Sequence, residues 1–235
     1  MMKISLAGLK IAIDNRYPFI EELAKDYITS EEEVDFTVSV SDEDLKEEDR
    51  MSEVRYPLGY LESIALYRKI AEKIPEYGAF VFHGAVMALD GFAYAVTARS
   101  GVGKTTHVRL WLEAFGERVH ILNGDKPIIR VIDGIPYACG TPWRGKENYG
   151  IPEMLPLRSV AFLERAEDNS AEKISVGSAL MRFVSQIYIP KTKETASLAL
   201  IAANRVISSV SLYELHVNMD ISAAHKAMKA MASEA

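Results

Sequence analysis

The sequence predicts an α/β protein with a mixed sheet: a smaller α+β region over 1–75 and a core over 76–235. Three observations point there. A glycine-rich loop at 98–105 stands between an apolar run and a helical stripe. Two Asp-Gly pairs, at 90–91 and 133–134, join runs of strand-forming residues as hairpin turns do. Of the 235 residues, 49% are hydrophobic, enough to bury a sizeable core. Strand–loop–helix order gives parallel pairing and hairpins give antiparallel pairing, so the sheet holds both.

Each element follows from local pattern. Residues 3–12 alternate loosely around Gly8 and predict one or two strands. The stretch 18–27 places Phe19, Leu23 and Tyr27 at helical spacing. Val34, Phe36, Val38 and Val40 alternate with polar residues as a half-buried strand does. A helix over 60–74 ends at Pro75. The run 79–89 reads as one strand, which returns after Asp90-Gly91 over 92–97. Beyond the loop, Val108, Trp111, Leu112 and Phe115 form a helical stripe that stops at Gly116. Strands follow at 119–122, 128–132, 135–138 and 160–163. Helices follow at 179–187 and 193–208, then a strand at 212–217 and a last helix from Ala223, capped by Ser222.

The loop itself, Ala98-Arg99-Ser100-Gly101-Val102-Gly103-Lys104-Thr105, has the chemistry of a phosphate cradle. Glycines let backbone N–H groups turn inward toward an anion, and the helix behind them adds its positive end. Lys104 offers an ammonium to terminal phosphates, and the Thr105 hydroxyl is a hard ligand for Mg²⁺. Ser100, Gly101, Val102, Gly103, Lys104, Thr105 and Thr106 are therefore the expected phosphate-binding residues. Asp125 follows the next strand, where it either holds Mg²⁺ or accepts a proton from an attacking hydroxyl. The segment Gly140-Thr141-Pro142-Trp143-Arg144-Gly145-Lys146-Glu147 suits a closing loop. In it Arg144 and Lys146 would compensate phosphate charge, while Glu147 would reach the metal or pair with a cation. His83 is read either as a core histidine or as a group facing the transferred phosphate. His107 is expected at the surface, and Cys139 as a small apolar residue at a strand end.

Charge and composition narrow the classes. The net charge is −6, but eleven acids against two bases lie between Glu31 and Glu53, so the rest of the chain carries a positive surplus. That acidic stretch reads as a solvated face, with a docking surface for a basic partner as the other option. The basic surplus clusters in sequence around the loop, as a polyanion pocket requires, and shows no stripe for nucleic acid. One cysteine and no long apolar segment predict a cytoplasmic chain with no disulfide and no membrane partner.

These residues together resemble the HPr kinase/phosphorylase family, relatives of ATP-dependent phosphoenolpyruvate carboxykinase. The likeness rests on His83-Gly84, the 100–106 loop, Leu122-Asn123-Gly124-Asp125-Lys126, the 140–147 segment and the 161–165 strand. It implies a P-loop core of that family, ATP and Mg²⁺ as cofactors, and phosphoryl transfer to a hydroxyl of a serine or a small molecule. It places phosphates on 101–106, Mg²⁺ on Thr105 and catalysis on Asp125, with His83 near the transferred group. It also implies possible self-association. Ala98 departs from the opening glycine, Gly124 stands where relatives carry a second aspartate, and no phosphorylase signature is found. The other reading is a nucleotide-binding regulatory module with little chemistry.

Overall fold

The computed structural model describes residues 1–99 and 101–233. The chain opens with a hairpin, β1 (Met2–Leu6) and β2 (Leu9–Asp14), whose turn holds Ala7 and Gly8 at positive φ. Helix α1 (Phe19–Leu23) and a single helical turn, Lys25–Tyr27, occupy the predicted 18–27 segment. Strand β3 (Phe36–Ser39) pairs parallel to β2 and completes a three-stranded sheet.

The acidic run then becomes α2 (Asp42–Met51), an element the charge reading missed. Ser41 and Asp44 close a capping box at its start, and only Leu45 and Glu48 are buried. Glu48 is neutralised by Arg68, whose guanidinium donates to its two oxygens at 2.5 and 3.1 Å. Helix α3 (Leu58–Lys73) buries Leu61, Leu66 and Ile70 in the N-terminal core. That core extends past residue 76 to Ala79, Val81, Ile128, Cys139 and Trp143.

The expected single strand over 79–89 is split. β4 (Ala79–Val81) and β5 (Ala85–Leu89) pair with different neighbours, and His83-Gly84 forms the break. β6 (Phe92–Thr97) returns antiparallel to β5 across Asp90-Gly91, both at positive φ, and leads into the glycine loop and α4 (Lys104–Phe115). β7 (Val119–Asn123), β8 (Ile128–Ile132) and β9 (Ile135–Cys139) follow. β10 (Met154–Arg165) is far longer than the predicted 160–163, because Pro156 and Arg158 interrupt the apolar run but not the strand. β11 (Ser170–Lys173), α5 (Val176–Val184), α6 (Lys193–Ser209), β12 (Ser211–Val217) and α7 (Ser222–Met231) complete the chain.

Among the described residues the larger sheet has nine strands and is mixed: β10 runs parallel to β6 and β12, while the hairpin pairs are antiparallel. Alternation along its central strands feeds two cores. Val86, Ala93, Ala95 and Phe162 face the side covered by α5 and α6; Met87, Tyr94, Val96 and Leu163 face α4 and α7. The sheet is thus buried on both faces, and the glycine loop emerges at the end of a strand held from above and below.

Candidate functional site

The loop after β6 takes its shape from two glycines. Gly101 and Gly103 have φ of 80° and 125°, and a Cβ at either would stand in open space. Conformation, not crowding, therefore demands glycine here. Gly103 caps α4, whose first residue is Lys104, so the free N–H groups of the helix face the hollow. The Lys104 Nζ lies 3.2 Å from the Ala98 carbonyl, to which it donates. Burial holds its pKa below the usual lysine value. The Arg165 guanidinium donates to the Gly101 and Val102 carbonyls, the latter at 3.0 Å, and ties the loop to the end of β10. Ser100 lies outside the described residues.

Asp125 follows β7 and stands opposite. Its Oδ1 is 3.7 Å from His83 Nε2, and its Oδ2 accepts from Lys126 Nζ at 2.9 Å. The His83 side chain is 45% exposed, so it is not the core histidine that one reading allowed. Its backbone N–H donates to the Gln186 carbonyl at 2.7 Å. Burial first, and the Lys104 ammonium second, hold its pKa below the usual histidine value, favouring the neutral ring. Asn123, fully buried, aims Asp125: its Oδ1 accepts from the Asp125 and Lys126 N–H groups at 2.8 and 2.7 Å. Its amide nitrogen donates to the carbonyls of Thr141 and Trp143.

The 140–147 segment is built differently from an open lid. Trp143 stacks on Tyr67 of α3 with ring centroids 4.0 Å apart, and its Nε1 donates to the Ser63 carbonyl at 2.9 Å. Arg144 pairs with Asp26 at 3.2 Å and lies over the Tyr27 ring. Its side chain is only 12% exposed. Glu147 faces Arg109 of α4 at 3.7 Å, so of its two expected partners the cation is the one it meets. Space at Gly124 is tight, since a Cβ would sit 3.3 Å from both the Arg144 carbonyl oxygen and Tyr149 Cβ.

One cavity of about 1070 Å³ gathers these groups. Its lining includes Gly101, Gly103, Lys104, Thr105, Thr106, His83 and Asp125, together with Arg144, Lys146 and Glu147. Val102 is half-buried beside it, in contact with the core under α4. No three His, Cys, Asp or Glu side chains converge to hold a metal by themselves among the described residues. Any divalent cation here would need oxygen from the Thr105 hydroxyl, the Asp125 carboxylate and a ligand's own phosphates, a donor set that suits Mg²⁺.

No protein-family profile matches the chain, and no curated protein matches it in sequence. Among solved structures it is similar to the Hpr(Ser) kinase/phosphatase from Coxiella burnetii, at 9% identity and a TM-score of 0.31, over 55% of this chain and 88% of that one. That similarity is distant and partial.

Two of the residues around the site escaped sequence reasoning for different reasons. Arg165 reaches the loop from 64 residues away, a contact no local pattern encodes. Asn123 sits two residues before Asp125, and an Asn-x-Asp turn after a strand was signal enough to find it. His107 corrects the surface expectation: it is 1% exposed, and its Nε2 accepts from Trp111 Nε1 at 3.0 Å. Burial lowers its pKa to about 4. Cys139 is buried as expected, and burial pushes its thiol up to about 12, leaving it unreactive. No helix is long and apolar enough to cross a membrane among the described residues.

Proposed function

We propose that the chain binds a nucleoside triphosphate, ATP in the first instance, with Mg²⁺, and transfers its γ-phosphoryl group to a hydroxyl. The observation that carries this reading is the convergence of the glycine loop, the start of α4, Lys104, Asp125 and His83 on one cavity. The resemblance of the 100–106 and 122–126 segments to HPr-type kinases points the same way. The loop N–H groups and Lys104 would hold the β- and γ-phosphates. Thr105 and Asp125 would hold Mg²⁺, which when bound would offset phosphate charge. Asp125 would orient the acceptor and take its proton, and neutral His83 would hydrogen-bond beside it. Arg144 would reach the phosphates only by leaving Asp26, so Lys146 is the better-placed cation of that loop.

A second reading, a nucleotide-binding module with little turnover, is favoured by one observation: Asp125 is the single carboxylate at its position and is held by Lys126. Calorimetric titration with Mg·ATP, followed by ADP release with and without alcohols, separates the two. Binding with a tenfold or greater weakening in Lys104→Ala supports a nucleotide site (about 1.4 kcal/mol or more). A flat titration of the wild-type protein overturns both readings.

A further inference from the structure

The cavity is larger than phosphate binding explains, and its other half has a different chemistry. Helix α3 turns a second face to it: Tyr60, Ile64, Tyr67 and Ala71 recur at helical spacing along the wall. Tyr67 and Ala71 also belong to the N-terminal core that buries the rest of α3, so Tyr60 and Ile64 are the more open of the four. Its one charged residue on that wall, Arg68, is paired with Glu48, and the rest of the wall is rings and a branched aliphatic chain. Phe19 of α1 meets Tyr60 edge to face at 5.9 Å, and Ile187 closes the wall from the other side.

The polar groups of this half are already engaged. Tyr67 Oη donates to the Lys126 carbonyl at 2.7 Å, and Tyr188 Oη to Glu72 at 2.6 Å. Trp143 Nε1 is held by Ser63, and the Arg68 guanidinium by Glu48. What is left for a ligand is aromatic and aliphatic surface. A carboxylate or phosphate placed there would lose water and gain no partner, whereas a ring would gain contact area. The two halves adjoin at the reacting groups. Tyr67 is bonded to the residue after Asp125, and the backbone at 186–188 is bonded to His83 and Val81.

We infer that the aromatic half of the cavity is the acceptor subsite, and that the acceptor is a small uncharged hydroxyl compound with an apolar or aromatic body. This rests on the phosphoryl-transfer reading above. In the step, the acceptor oxygen bonds to the γ-phosphorus as its proton passes to the Asp125 carboxylate. The bond from that phosphorus to its bridging oxygen breaks, and the electron pair leaves with ADP.

The test compares phenethyl alcohol, glycerol and glycerate as acceptors at saturating Mg·ATP, with ester formation followed by phosphorus NMR. Phenethyl alcohol is expected to show a KM at least about tenfold below those of the other two. Tyr60, 36% exposed, is a wall residue whose truncation does not open the core. Tyr60→Ala is expected to raise that KM about tenfold, Tyr60→Phe to restore it, and Ile64→Asp to act as Tyr60→Ala does, all with unchanged affinity for Mg·ATP. Turnover of glycerate as good as that of phenethyl alcohol, or an unmoved KM in Tyr60→Ala and Ile64→Asp, overturns the acceptor class and leaves phosphoryl transfer standing. Failure of the wild-type protein to bind Mg·ATP overturns both.

Discussion

Gly101 and Gly103 hold positive φ where a side chain would meet nothing, whereas Gly140 and Gly145 of the second glycine-rich segment are hemmed in. A Cβ at Gly140 would come 1.8 Å from the Ile151 carbonyl oxygen, and one at Gly145 would come 2.9 Å from Asp125 Cβ. The two segments look alike in composition and border the same cavity, yet glycine serves opposite ends in them. In the first it frees the backbone to curl around a hollow. In the second it lets the chain press against β7 and Asp125, fixing the carboxylate that faces that hollow. The first is built to receive a ligand and the second to position a side chain.

This contrast can be broken by mutation. The largest effect is expected at the residue the two segments jointly present: Asp125→Asn should lower phosphoryl transfer by ~10²–10⁴-fold while calorimetry still registers Mg·ATP. Turnover at the wild-type rate would remove Asp125 from the chemistry. Gly140→Ala comes next, because its clash is with backbone. It should destabilise the fold by about 3 kcal/mol or more, measured by urea unfolding. Stability equal to wild type would show that the 140–151 contact is not tight.

A pH-dependent effect of similar size is expected at His107, at the root of the first loop's helix. Its folded pKa, about 4, lies below the unfolded 6.5, so the native state prefers the neutral ring. The stabilisation tied to that preference is complete above pH 6.5. It is lost as pH falls toward about 4, on the order of 3 kcal/mol in all. His107→Gln should flatten that part of the stability curve; an unchanged curve would assign the loss to carboxylates. The smallest effect belongs to Gly101→Ala, about 1–2 kcal/mol of backbone strain with no clash. It should register more in nucleotide affinity than in unfolding.

Local signals were read well where one residue type has one use. Asp-Gly at 90–91 and 133–134 gave both hairpins, since each pair accepts the positive φ those turns need. The strand–loop–helix order at 92–115 was legible for the same reason. The errors have physical sources. In α2 charge hid the helix, because its buried glutamate is neutralised by an arginine 20 residues away. His83 was placed on a strand because its neighbours are apolar, but Gly84 packs against Phe82 and the Val96 carbonyl where the strand breaks. The partners of Arg144 were invisible, since Asp26 is 118 residues distant. The aromatic wall was hidden in plain helical spacing: Tyr60 and Ile64 look like ordinary core until Leu61, Leu66 and Ile70 are seen to fill it already.

The grip of Arg165 on the Gly101 and Val102 carbonyls has one more consequence. Arg165 ends β10, which is flanked by β6 and β12 and locked by both. The curl of the loop is thereby tied to a central, doubly paired strand of the larger sheet, and its amides acquire their orientation when the chain folds. On the phosphate-binding reading proposed above, immobilising them would cost little further when an anion arrives.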